Sequence, residues 1–377
     1  MTKTLSKYDA MREVFRKNFR EGIKPVDGRQ PIPDEVALAM IQELDVPKDA
    51  LIGVYDAFLI LTSHLREQGY TNIVVLENVH KDLTSLQQKY YNSVKNICNN
   101  SGVTYYVPPM NNFNRCDMKF DVVIGNPPYS DTSSGSTNNA SLDSKFFQMG
   151  VDKSDMVKMI IRAKHFTDPR STFRRNLFQT GKVSKISYLD SKKFNIYQEI
   201  ITCIVTYDVN HNGPTVVEYT GDVVKEEYLT KDSLVFLTSP DKKEIPWENS
   251  LAVRWVRGKI ARNTIDHNPD GFNIIEASGS SECIISKTSS GDQVGHNQYG
   301  IVMNVVNHLG KTGPVRMKQY DACLSTGMLA LITDTEQEAQ ILYDFFYSKE
   351  GKDLIKKIKT STVNSRQMFS YIEDPIK

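Results

Sequence analysis

The chain has 377 residues, which at roughly 150 residues per domain suggests about two domains, or one catalytic domain with a large appendage. Hydrophobic residues make up 40%, charged residues 24%, and the 21 Gly and 15 Pro are ordinary globular usage, so a collagenous, mucin-like or wholly disordered chain is excluded. Forty-six basic residues against 45 acidic ones leave a net charge of +1, so the overall charge points to no partner.

In chain order, amphipathic stretches over 8–15 and 33–41 predict two helices. The second has Pro33 just inside its start and acids in its first turn, the chemistry that suits a helix N-terminus. An α/β rhythm follows, with strands expected over 50–54, 72–77, 103–107 and 120–125 and helices over 58–68 and 83–98. Continuous β-branched runs alternating with helices predict a parallel sheet covered on both faces. Residues 130–144 are rich in Ser, Thr and Asn and read as a loop. The rhythm resumes with strands over 157–162, 185–189 and 200–207 and a helix over 172–180. Beyond about 210 the segments become short and turn-separated, until an amphipathic stretch over 335–359. The expected division is a catalytic domain over 1–230 and a second domain over 231–377.

Apolar runs such as 57–61 fall far short of the roughly 20 residues of a membrane span, and residues 1–6 carry no signal-like apolar core. The five cysteines (98, 116, 203, 283 and 323) include no Cys-x-x-Cys pair. They read as reduced thiols of a cytoplasmic protein, with neither a disulfide frame nor a metal site expected. No Gly-x-x-x-x-Gly-Lys-Ser/Thr phosphate loop occurs.

The chemistry-bearing residues are Asn126-Pro127-Pro128-Tyr129, directly after the apolar strand expected over 120–125. In a doubly wound sheet, functional groups gather in the crevice beyond the carboxyl ends of the strands. Two prolines there fix an extended turn whose carbonyls escape secondary structure. The Asn126 side-chain oxygen and the Pro127 carbonyl can then accept both protons of one exocyclic amine, while Tyr129 offers a flat face to a planar ring. Such an arrangement presents the amine lone pair for attack on a methyl donor.

This pattern resembles the S-adenosylmethionine-dependent amino-methyltransferases, and most of all the gamma group of DNA adenine-N6 methyltransferases of the Eco57I-like and TaqI-like kind. The resemblance covers about residues 25–210. It implies an α/β, Rossmann-like methyltransferase fold with a C-terminal target-recognition domain, acting on an adenine flipped out of duplex DNA. Catalysis would fall to Asn126, Pro127, Pro128 and Tyr129. By the same resemblance the cofactor would meet Ile32 and Pro33, Gly53 and Asp56, Glu77 at the second strand's end, and Asn112-Phe113. Phe194 would stack on the flipped base. Residues 159–166 resemble the strand and turn after the catalytic loop. The stretch 52–58 stands where the family has a glycine-rich turn; it keeps only Gly53, with Val54 and Tyr55 expected in the turn, so cofactor binding is expected to be weaker than in a glycine-rich relative. The implied partners are double-stranded DNA and a cognate restriction endonuclease, with the protein itself a monomer or dimer and no membrane involved. Alternatives from the same motif are an RNA or protein N-methyltransferase, or a DNA-binding homologue whose catalytic power has decayed.

The charge distribution favours nucleic acid. Between 157 and 193 there are ten Lys or Arg (158, 162, 164, 170, 174, 175, 182, 185, 192 and 193) against Asp168 and Asp190 alone. From this stretch and a second cluster, the residues expected on DNA phosphates are Lys164, Arg170, Arg174, Arg175, Lys182, Lys185, Arg254 and Arg257.

Overall fold

The computed structural model describes residues 31–56, 58–76, 84–106, 118–129, 141–190, 193, 201–241, 245–279, 282–289, 294–307, 311–359 and 364–377. The helix expected over 8–15 lies outside these residues. The chain divides into two compact units, one ending at Leu237 and the other running from Thr238 to Lys377.

The first unit is built on a nine-stranded sheet. Its elements in chain order are α1 (Asp34–Gln42), β1 (Leu51–Tyr55), α2 (Ile60–Glu67), β2 (Asn72–Leu76), α3 (Ser85–Ser101), β3 (Thr104–Tyr106), β4 (Phe120–Gly125), α4 (Asp143–Lys153), β5 (Ser154–Arg162), α5 (Lys164–Thr167), α6 (Thr172–Gln179), β6 (Val183–Leu189), β7 (Thr202–Asp208), β8 (Thr215–Glu218) and β9 (Val224–Glu227). The strand order is β3-β2-β1-β4-β5-β7-β6-β8-β9. The first five strands pair in parallel, as their near-continuous apolar runs require, because helices must cover both faces. The expectation of an all-parallel sheet needs correction beyond β5. There β7 enters antiparallel between β5 and β6, and β9 is antiparallel to β8.

Local chemistry explains the element ends. Asp34 and Glu35 lie in the first turn of α1 and favour its dipole. Gly69, at φ 90°, closes α2 in the left-handed region. Ser171 caps α6 by accepting from the Arg174 amide at 3.2 Å. One apolar core joins Val36 and Met40 of α1, Ile52 and Val54 of β1, Leu61 and Leu65 of α2, Val75 of β2 and Tyr90 of α3. Each such burial contributes roughly 1.5–3 kcal/mol. Just past α1, Glu43 reaches across the sheet to Lys158 of β5 (2.5 Å) and Lys185 of β6 (2.8 Å).

The second unit holds two smaller sheets. Its strands are β10 (Trp255–Arg257), β11 (Phe272–Ser278), β12 (Cys283–Thr288), β13 (Tyr299–Asn304), β14 (Arg316–Met317), β15 (Ala322–Leu324) and β16 (Met328–Thr333). One sheet runs β10-β16-β13-β14, the other β12-β11-β15. Helices α7 (Glu336–Tyr347), α8 (Lys349–Ile358) and α9 (Arg366–Phe369) complete it. Leu342 and Phe346 of α7 and Ile355 of α8 share a core with Ile301, Met303, Leu329 and Leu331. The amphipathic stretch 335–359 is therefore two helices. Ser348 breaks it by turning extended, and its hydroxyl accepts from the Gly351 amide at 2.9 Å to start α8. No described helix is long and apolar enough to cross a membrane.

Candidate active site

The carboxyl end of β4 is set by a close approach to β1. Gly125 pairs with Tyr55, and a β-carbon at Gly125 would lie 2.4 Å from the Tyr55 carbonyl oxygen, so only glycine fits. The Asn126 amide donates to that same carbonyl at 3.0 Å, which carries the pairing one residue into the motif. Asn126, Pro127 and Pro128 are all buried, and Tyr129 is half-buried. The four motif residues thus follow directly from a strand end at the carboxyl edge of the sheet.

Behind Tyr129 lies a buried ionic cluster. Asp143, the first residue of α4, is 0% exposed. Its carboxylate accepts from Arg162 Nε (2.9 Å), Arg162 Nη2 (2.7 Å), the Arg162 amide (3.0 Å) and Ser141 Oγ (2.7 Å), with His165 Nε2 at 3.0 Å. Arg162 Nη2 also donates to the Tyr129 carbonyl and to Ser141 Oγ, both at 2.5 Å. Burial pushes the Asp143 carboxyl up, but hydrogen bonds from Arg162 and His165 outweigh it and hold the group well below the usual carboxylate range. Burial, with the Asp143 charge adding to it, raises the Tyr129 phenol well above its ordinary value, so that ring stays neutral. The sequence alone marks Arg162 as a charge and as part of the stretch 159–166, and singles out neither Asp143 nor Ser141. Arg162 closes a strand and Asp143 opens a helix, but nothing in their spacing says that the two ends meet.

The end of β1 differs from expectation. Gly53, Val54 and Tyr55 are strand residues, not a turn: Val54 pairs with Val75 and Ile124, and a β-carbon at Gly53 would press on Leu76 and Phe120 side chains. The reason is that the apolar run continues to Tyr55, so the turn begins only at Asp56. The Asp56 carboxylate is buried, which raises its pKa, and it accepts from the Thr62 amide at 2.8 Å, near the start of α2. Leu59 then adopts φ 52°, the left-handed region that ordinarily favours glycine. Its side chain and that of Phe58 belong to the apolar core, with Phe58 edge-on to Tyr90. The turn thus takes a left-handed step at Leu59 and tucks the Phe58 and Leu59 side chains into the core. On that ground the described residues suit a cofactor approached by backbone rather than by side chains.

The remaining expected residues fall into three groups. Glu77, Asn112, Phe113 and Phe194 lie outside the described residues. Ile32 is in the apolar core, and the Pro33 carbonyl accepts from the Val36 and Ala37 amides to begin α1. The basic residues need correction. Arg174 is 1% exposed and donates to the Ser233 and Pro169 carbonyls. Lys185 bridges Glu43 and Glu218, and Arg254 pairs with Asp374 at 2.6 Å. These three cations satisfy partners within their own units, so they leave the set offered to a polyanion. Lys182 is intermediate, donating to the His211 carbonyl and Asn212. Lys164, Arg170, Arg175 and Arg257 are exposed.

Comparison with known proteins falls on this same region. Residues 48–195 match the Eco57I restriction-modification methylase family. That segment runs from just before β1 to the stretch after β6, and includes the whole Asn126–Tyr129 turn and its ionic cluster. Comparison with curated proteins finds no match. Among solved structures, the type IIL restriction-modification enzyme MmeI, solved in complex with DNA, aligns over 95% of this chain and 64% of its own at 8% identity and a TM-score of 0.51, a likeness of fold. The type IIG restriction endonuclease BpuSI aligns over 97% of this chain and 61% of its own at 9% identity, TM-score 0.44. The methyltransferase subunit of a type I restriction-modification system from Streptococcus thermophilus aligns over 55% of this chain and 50% of its own at 16% identity, TM-score 0.40. The chain thus spans about half the length of that subunit. The first unit has an α/β, Rossmann-like fold, and the alignment with MmeI is a likeness of that fold.

Proposed function

We propose that this protein is a DNA methyltransferase that transfers a methyl group from S-adenosylmethionine to the N6 amino group of an adenine flipped out of duplex DNA. The observation that carries the reading is the Asn126-Pro127-Pro128-Tyr129 turn at the carboxyl edge of β4, within the segment matched to the methylase family. In this reading the Asn126 side-chain oxygen and the Pro127 carbonyl accept the two amino protons and orient the nitrogen lone pair outward. Tyr129 lies against one face of the adenine, and Phe194 is assigned to the other. The neutral Tyr129 phenol keeps ionic charge away from the ring. Methyl transfer by direct displacement depends on orientation and exclusion of water more than on a strong base. The bound cofactor supplies an electrophilic methyl on its sulfonium. The backbone around Leu59 would face its methionine end, Glu77 would accept from its ribose hydroxyls, and Asn112-Phe113 would hold its adenine.

Lys164, Arg170, Arg175, Lys182 and Arg257 are assigned to DNA phosphates, and residues 231–377 to target recognition. The proposed partner besides duplex DNA is a cognate restriction endonuclease. The test is transfer of tritium from methyl-labelled S-adenosylmethionine to unmethylated genomic DNA, followed by nucleoside analysis. Label in N6-methyladenine is the expected result. Label in another base, or only in RNA or protein, overturns the adenine assignment.

A further inference from the structure

We infer that Arg162, locked by Asp143 and Ser141, is a positioning residue that fixes the Tyr129 carbonyl and thereby aims the whole Asn126–Tyr129 turn. The inference rests on the function proposed above. The turn has two anchors, three residues apart. At its start, the Asn126 amide is held by the Tyr55 carbonyl of β1. At its end, the Tyr129 carbonyl is held by Arg162 Nη2 at 2.5 Å and by the Leu142 amide at 3.2 Å. Between the anchors stand two prolines, which have no N–H to add a further tie and whose ring-locked φ angles transmit the direction set at either end. The rotation of the two functional side chains therefore follows from where β1 and β5 place those anchors.

The guanidinium suits this task in a way an ammonium would not. One planar fork meets the Asp143 carboxylate through Nε and Nη2 while Nη2 also reaches the Tyr129 carbonyl and Ser141 Oγ. Its carbon lies 5.9 Å from the Tyr129 ring centroid, close enough for an attractive contact with the ring face. Asp143 in turn is fixed by the Arg162 amide and by His165, so the acceptor does not move when the fork does. A buried ion pair of this kind is a poor means of gaining stability, since well-packed apolar residues of similar volume often serve as well. Its geometric specificity is what an aimed turn requires.

The test compares Arg162→Lys and the double variant Arg162→Gln/Asp143→Asn with the wild type; the double variant leaves no unpaired buried charge and so guards against simple unfolding. Each protein carries 3-fluorotyrosine at position 129 alone. We expect thermal melting and the KM for S-adenosylmethionine to stay close to wild type while kcat for tritium transfer to DNA falls about 10- to 100-fold. The fluorine resonance of the residue-129 ring should shift or broaden in both variants. Unchanged kcat in both variants overturns the inference. So does a lower melting temperature with a raised KM, a lower kcat and an unmoved fluorine line, which marks a structural strut only. A wild-type protein that transfers no methyl counts against the proposed function instead; the fluorine line then decides the clamp, a shift supporting it and constancy overturning it.

Discussion

The ends of β4 and β1 are neighbours in register, with Gly125 paired to Tyr55, yet they are built from opposite materials. Past β4 the chain is held by polar atoms: an amide on a carbonyl, two prolines, then a guanidinium–carboxylate cluster. Past β1 it is held by apolar burial, with Phe58 and Leu59 in the core and a single carboxylate, Asp56, tied to the start of α2. The difference teaches where each half of the proposed site obtains its precision. Directional hydrogen bonds orient side chains that must meet a substrate atom by atom. Burial fixes a backbone path without dictating which side chains front it.

The comparison breaks first at Asn126. Asn126→Ala removes the acceptor proposed for the target amine and should lower methyl transfer by about 10²–10³-fold. Cofactor affinity measured by calorimetry should hardly change, because that residue stands on the β4 side. A large loss of cofactor affinity in this variant would mean that the two strand ends act as one site.

The β1 side is sharpened by a pair of substitutions at Leu59. Leu59→Ala leaves a cavity in the core and should destabilise by about 2.5 kcal/mol, read from urea unfolding. Leu59→Gly loses the same side chain but relieves the left-handed backbone, so it should be more stable than the alanine variant by roughly 1 kcal/mol. Alanine proving the milder change would show that the turn is not left-handed at that residue. Between the two sides, Gly125→Ala forces a β-carbon towards the Tyr55 carbonyl and should cost about 1–3 kcal/mol, with transfer falling as β4 shifts from β1.

The smallest expected effect is an absence of change with pH. An ordinary tyrosine loses its proton near pH ~10. The folded Tyr129 phenol is raised above that value, so it remains protonated where an exposed phenol would ionise. Single-turnover transfer should therefore show no alkaline limb between pH 9 and about 10.5 that Tyr129→Phe abolishes. Such a limb would place the ring in a more solvated position than the structure gives it.

Much of this was legible in the sequence because it depends on local patterning. The β-branched runs announced β1, β2 and β4, and Asn126-Pro127-Pro128-Tyr129 announced its own turn, since proline fixes φ wherever it stands. What the sequence left open were relations between residues distant along the chain. Arg162 and Asp143 are 19 positions apart, and only the return of β5 beside β4 brings them together behind Tyr129. Likewise Arg174, Lys185 and Arg254 looked like cations for a polyanion until folding gave them carbonyls and carboxylates of their own. The same limit moved the β1 turn by three residues, because strand length was decided by pairing with β2 and β4 rather than by the glycine at 53. Charge and composition are properties of a segment, whereas burial and ion pairing are properties of a packed neighbourhood, and only tertiary structure assigns the neighbours.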